Sequence, residues 1–215
     1  GFPAPIILAL MLNEIRAGLY KKLSQTILYL PHFLSWVIIG GLVTTLFATT
    51  SGLINKGLTS IGLPAVPWLS DNGWWIFMYV FVTVWQGIGW GAIVYLSAIT
   101  GIDQEMYEAA KVDGCSRFKM MTKITLPSIR TTIVIMLILR VGGMMSIGFE
   151  KPQMLKNVMV NEVGDVISTF IYRYGIENNK FAISTAGGLL QSVINFALVM
   201  TANSLSRKIS DESIW

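Results

Sequence analysis

Two runs of this chain, Trp74 to Thr100 and Phe181 to Leu205, pass without a single Asp, Glu, Lys or Arg. At 1.5 Å per helical residue the first reaches about 39 Å, enough to cross a hydrocarbon core with some tilt. Composition points the same way: 13% of the residues are charged, 53% are hydrophobic, and the mean hydropathy is +0.60. Soluble domains carry about a quarter charged residues, so much of this surface faces lipid. The expected fold is an all-helical integral membrane protein.

The remaining segments are placed around those runs. Residues 1–12 are apolar but too short to span, and are expected to be a partial helix. The chain enters them through Gly1-Phe2-Pro3-Ala4-Pro5, with no starting Met and no basic leader, so an earlier segment is expected to be missing. Asn13 to Lys22 collects Arg16, Lys21 and Lys22 against Glu14, as cytoplasmic loops do. Residues 24–50 form a long apolar segment interrupted by Pro31-His32, with Tyr29 and Trp36 as interface anchors. Residues 51–73 are rich in turn formers and hold one cation, Lys56, which marks an external loop. Residues 74–100 return through the membrane, and 101–130 form a charged internal loop. Thr131 to Phe149 is the next span, 150–180 a second external segment, and 181–205 the last span.

Sorting cations tests this topology. Arg16, Lys21, Lys22, Lys111, Arg117, Lys119, Lys123, Arg130, Arg207 and Lys208 fall inside, and Lys56, Lys151, Lys156, Arg173 and Lys180 outside. The longer loops hold the fewer cations, which satisfies the positive-inside rule. The expectation is a single transmembrane domain over 1–215, with four full spans, one partial span and a cytoplasmic C-terminus.

Several functions fall away. One cysteine, Cys115, cannot form an intrachain disulfide, and with one histidine there is no zinc ligand set. The pI near 9.2 reflects membrane-flanking loops and comes with no nucleic-acid-binding motif, so no nucleic-acid partner is expected. The glycines of Gly87-Ile88-Gly89-Trp90-Gly91, Gly142-Gly143 and Gly187-Gly188 lie inside apolar runs with no preceding strand, and suit helix packing better than phosphate binding. The spans lack the carboxylates an ion-coupled carrier needs.

The working part is the charged segment from Glu108 to Pro127. Asp103 can cap a helix with Glu105 in its first turn, and Gly114 can end that helix in a left-handed conformation. A second helix follows, with Phe118, Met121 and Ile124 on one face and Pro127 limiting its far end. Such a helix-turn-helix, with small Ala109 and Ala110, can dock into a groove of another protein, or lie as a basic loop on lipid headgroups.

Glu108-Ala109-Ala110, then Asp113-Gly114, then Leu126-Pro127, resembles the EAA loop of binding-protein-dependent ABC importer permeases. The resemblance implies a type I permease core of six helices with the loop between the fourth and fifth, so that residues 1–12 fall in the second and the first is missing. It implies that Glu108, Ala109, Ala110, Asp113, Gly114, Leu126 and Pro127 form a coupling helix seated in a cytoplasmic ATPase. The implied partners are a second permease subunit, two ATPase subunits carrying ATP and magnesium, and an extracytoplasmic solute-binding protein. The implied location is a bacterial inner membrane. No cofactor is expected in this chain, and it would not itself be an enzyme; it lacks a Gly-x-x-x-x-Gly-Lys-Ser/Thr loop. Cys115 departs from the pattern, which usually has alanine there.

Four other stretches resemble the oligosaccharide branch of that family. They are Pro31-His32-Phe33-Leu34-Ser35-Trp36; Gly89-Trp90-Gly91 through Gly101-Ile102-Asp103; Gly148-Phe149-Glu150 with Asp165-Val166-Ile167; and the tail Ile209 to Trp215. Cargo such as an alginate, xylan or pectin fragment is implied. For the substrate path, Arg140 near mid-span either contacts sugar or braces a neighbouring subunit. Trp85 and Gln86 join an aromatic face to an amide, or simply pack. Gln191 and Asn195, four apart, line the path or bond a neighbouring helix. His32 is either a titrating cavity group or a satisfied structural one.

Overall fold

The structure is a computed structural model that describes residues 1–15 and 18–210. Arg16, Ala17 and the tail stretch from Asp211 to Trp215 lie outside the described residues, as do the side chains of 208–210. Every described element is helical. In chain order they are α1 (Pro3–Glu14), α2 (Leu19–Tyr29), α3 (Trp36–Phe47), α4 (Leu53–Ser60), α5 (Asn72–Thr100), α6 (Gln104–Val112), α7 (Arg117–Met120), α8 (Leu126–Ser128), α9 (Arg130–Gly142), α10 (Glu150–Leu155), α11 (Asn161–Gly164), α12 (Ile167–Phe170) and α13 (Phe181–Ser210). Short 3₁₀ turns at Leu30–Phe33 and Val158–Val160, and π-turns at Met121–Thr125 and Ile171–Glu177, join some of them.

Asn72–Thr100 and Phe181–Arg207 are each long and apolar enough to cross a membrane; two bent helix pairs raise the number of candidate spans to four. Residues 24–50 do not form one straight helix. Pro31 sits in a 3₁₀ turn, and the hydroxyl of Ser35 accepts the Ile38 amide and restarts the chain as α3. The expected span 131–149 is also shorter. α9 ends at Gly142, and Gly148 adopts φ +86, so the backbone turns while the sequence is still apolar.

The chain divides into two units, each with its own core. In the first (Gly1–Phe33, Val84–Gly142, Leu198–Trp215), Ile6, Ala9, Leu10 and Leu12 of α1 pack against Ala92, Tyr95, Leu96 and Ile99 of α5, with Ile129 among them. Glycine permits a close approach at Gly89, where a Cβ would stand 2.0 Å from the Leu28 carbonyl oxygen. Gly142 likewise faces Val199, as the helix-packing reading expects.

In the second unit (Leu34–Thr83, Gly143–Ala197), Trp36, Ile39, Val43 and Phe47 pack against Trp75, Met78, Val82, Leu155 and Val160. Trp36 is therefore a core residue, with Lys151 Nζ 5.2 Å from its ring centroid, and is not an interface anchor. The segment 51–73 holds a two-turn helix pinned by buried Asn55. Asn55 Nδ2 donates to Thr49 O (2.9 Å) and Val66 O (2.8 Å), while its Oδ1 accepts from Val66 N and Trp68 Nε1, both at 3.0 Å.

A second polar clasp holds the segment 150–180. Asp165 accepts from Lys156 Nζ (3.2 Å), Thr169 Oγ1 (2.7 Å) and the Arg173 guanidinium. Partial burial alone would raise the Asp165 carboxyl, but the bonds from Thr169, Arg173 and Lys156 outweigh it and hold the group below the usual carboxylate range. A depressed folded-state value contributes stability above the ordinary value of about 4, and that stability is lost as pH falls through the lowered one. Asp165→Asn is expected to reduce the thermal midpoint at pH 7 and to flatten its decline below pH 4. Melts of the detergent-solubilised protein across that window check this.

Candidate coupling loop and translocation path

The first turn of α6 is closed by Asp103, whose Oδ1 accepts the Glu105 amide at 3.0 Å. Its far end is a Schellman turn. Gly114 takes φ +71, Gly114 N donates to Lys111 O (3.0 Å), and Cys115 N donates to Ala110 O (2.9 Å). Ser116 then caps α7 by accepting the Lys119 amide at 3.3 Å, a cap that a Ser at the head of the second helix makes legible and that the reading above overlooked.

The second helix ends at Ser128, one residue past Pro127, close to where the proline is expected to limit it. The preceding turn widens into a π-turn at Met121–Thr125, and helical structure continues through Ser128 before breaking at Ile129 (φ −97). Proline has no amide for an i−4 bond and crowds that carbonyl; widening the turn relieves both demands and lets the helix run one residue past it.

The motif residues have distinct surroundings. Glu108, Ala109, Asp113, Gly114 and Pro127 are exposed, Ala110 is buried and Leu126 is half-buried. Phe118 separates from the expected apolar face: it is 71% exposed, while Met121 and Leu126 pack on the first core. Val112, at 89%, and Met106 are also exposed, on the helix that carries Glu105, Glu108 and Lys111. The outer side of this capped helix-turn-helix knob is thus exposed, charged and partly apolar.

The substrate-path candidates fall into separate groups. Gln86 Nε2 donates to His32 O at 3.3 Å, and the His32 ring stacks on Trp90 with centroids 4.6 Å apart and planes 4° from parallel. Phe33 stands edge-on to Trp90. Trp90 and His32 thus belong with Gln86, while Trp85 is 40% exposed on the same helix. In the other unit, Gln191 Nε2 donates to Met145 O and Asn195 Nδ2 to Ser146 Oγ (2.7 Å), so the shared face braces the turn after α9. Among the described residues three buried polar atoms have no hydrogen-bond partner, His32 Nδ1, Thr83 Oγ1 and Asn195 Oδ1, and two of them belong to these candidates. Arg140 lies in the last turn of α9, is exposed, and forms no ion pair among the described residues; the shorter helix moves it from the expected mid-span to a helix end, where a cation suits the dipole.

The chain is thus a polytopic helical protein with a capped, charged helix-turn-helix between two of its candidate spans. It belongs to the family described as binding-protein-dependent transport system inner membrane component, whose profile matches residues 1–211. Protein LplB of Bacillus subtilis strain 168 is 42% identical over 215 residues, covering 100% of this chain and 68% of that one. The polygalacturonan/rhamnogalacturonan transport system permease protein YteP of the same strain is 41% identical over 214 residues, covering 100% and 67%. The chain thus spans about two thirds of the length of these relatives.

Among solved structures, a chain of a bacterial ABC transporter that imports the acidic polysaccharide alginate matches with a TM-score of 0.92 and 43% identity, covering 98% of this chain and 73% of that one. A bacterial alginate ABC transporter in complex with an alginate pentasaccharide-bound periplasmic protein gives a TM-score of 0.93 at 42% identity, covering 100% and 74%. The type I permease fold and the permease role implied by the EAA loop agree with these matches.

Proposed function

We propose that this chain forms one half of the translocation path of an ATP-driven importer for an oligosaccharide with uronic acid units. The observation that carries the reading is the exposed, doubly capped helix-turn-helix from Asp103 to Ser128. It supports docking in a cytoplasmic ATPase, through Glu108, Ala109, Ala110, Asp113, Gly114 and Phe118, with Leu126 and Pro127 leading back to the membrane. Nucleotide and magnesium sit on the two ATPases. A second permease, expected to be a related but different chain, completes the path, and a solute-binding protein delivers cargo on the opposite side. The topology is four full spans and one partial span with the C-terminus in the cytoplasm, as the distribution of cations supports. ATP and the loaded binding protein each bind one of two conformations better and so bias the equilibrium between them, while hydrolysis on the partner ATPases supplies the direction.

Cargo chemistry is supported by relatives named for polygalacturonan/rhamnogalacturonan and for alginate. Trp85 and Gln86, beside Trp90, offer ring faces and an amide, and Arg140 is a cation available to a sugar carboxylate; Gln191 and Asn195, in the other unit, are the remaining candidates for the path. Arg140→Gln is expected to slow uptake of alginate or polygalacturonate oligosaccharides by roughly tenfold, the scale of one charge-assisted hydrogen bond. Uptake by proteoliposomes carrying the full complex checks this. Unchanged uptake of acidic oligosaccharides would return Arg140 to a bracing role.

A further inference from the structure

The hydroxyls of Tyr107, on α6, and Thr125, in the π-turn, share a hydrogen bond of 2.9 Å in which either can donate. Thr125 is 3% exposed, a buried polar group that this bond satisfies. Its backbone carbonyl accepts the Ile129 amide at 3.2 Å, and Ile129 O accepts the Ile133 amide at 3.0 Å. Ile129 is 1% exposed and packs with Ile6, Leu10, Tyr95 and Ile99. It stands at the bend of 63° between Arg117–Ser128 and Arg130–Gly142. The exposed knob is therefore tied by two hydroxyls to the corner where the chain re-enters the membrane.

The other polar ties from the knob are weaker or purely local. The Gly114 turn is bonded within its own helix end. The ion pair between Arg117 and Glu14 spans 3.8 Å with side chains 70% and 43% exposed, and such pairs contribute little. The hydroxyl pair, by contrast, lies half-buried next to a widened turn, and π-turns inside helices are frequent at working positions.

We propose that Tyr107 and Thr125 are positioning residues for coupling: their bond transmits displacement of the docked α6 to the Ile129 corner and so to α9. The proposal rests on the docking reading above. When the knob moves with its partner, a fixed tie drags the corner along; without it α6 slides while the corner stays, and ATP is hydrolysed without reorienting the spans.

The test uses the full complex of both permeases and both ATPases in nanodiscs, with hydrogen exchange measured before and after trapping with ATP and vanadate. Wild type is expected to change protection both in 101–117 and in 126–133. Tyr107→Phe and Thr125→Val should keep ATPase association and the change in 101–117, while the change in 126–133 shrinks roughly threefold to tenfold, the factor carried by one hydrogen bond. The double variant should be no worse than either single one, and Thr125→Ser should restore the response. A wild-type response at 126–133 in the single variants, or no nucleotide-dependent change there in wild type, would overturn the proposal. If the ATPases associate with wild type and Glu108→Lys abolishes that association, docking stands whatever the hydroxyl pair does; if they never associate, docking and the strut fall together.

Discussion

Gly114→Pro is expected to lower binding-protein-stimulated ATP hydrolysis by the assembled complex by about 100-fold, the equivalent of about 3 kcal/mol. Gly114 adopts φ +71, and its amide donates to Lys111 O. Proline is fixed near φ −65 and has no amide to donate, so the turn that aims α7 relative to α6 cannot form. Gly114→Asn is the control: asparagine tolerates the left-handed region, and no atom lies within 4 Å of a Cβ at that position. Glu108→Lys should be equally severe for a different reason. Glu108 is exposed and pairs with no cation among the described residues, so reversing its charge leaves the chain folded and acts on the partner's surface. Normal stimulation of hydrolysis in both Gly114→Pro and Glu108→Lys would contradict the docking role.

Gly89→Ala should abolish stable folding in the membrane. A Cβ there would stand 2.0 Å from the Leu28 carbonyl oxygen and 2.6 Å from its carbon, and neither backbone atom can swing aside. α2 must then separate from α5, where close approach of small residues holds helices together in lipid. The cost exceeds the ordinary overpacking range of about 1–3 kcal/mol. Gly87→Ala, two positions earlier with nothing within 4 Å, is expected to be neutral or mildly stabilising because alanine is the better helix former. Yield after detergent extraction and the thermal midpoint of the two variants check the contrast.

What could be read in the sequence was local. Asp103 and Gly114 announce a helix start and stop within one turn, and both do what their chemistry suggests. The four-residue spacing of Gln191 and Asn195 shows a shared face, but not that Met145 and Ser146 receive their amides, since those partners lie 46 and 49 positions away. Asn55, inside the turn-rich segment 51–73, and Asp165, singled out only for its resemblance to the family, show the same limit: their worth comes from burial and from convergent partners. Hydropathy also ran past the end of α9, because it measures polarity and cannot register the glycine-permitted turn after Gly142. Pro127 shows a third kind of limit, a rule about one residue met by a change in the turn before it.

The most direct test of the account is uptake of labelled alginate and polygalacturonate oligosaccharides into proteoliposomes holding the complete transporter with its loaded binding protein. The account predicts uptake that requires ATP on the side of the coupling loop and that Glu108→Lys eliminates. Uptake that proceeds without ATP, driven by an imposed ion gradient and indifferent to Glu108→Lys, would contradict it.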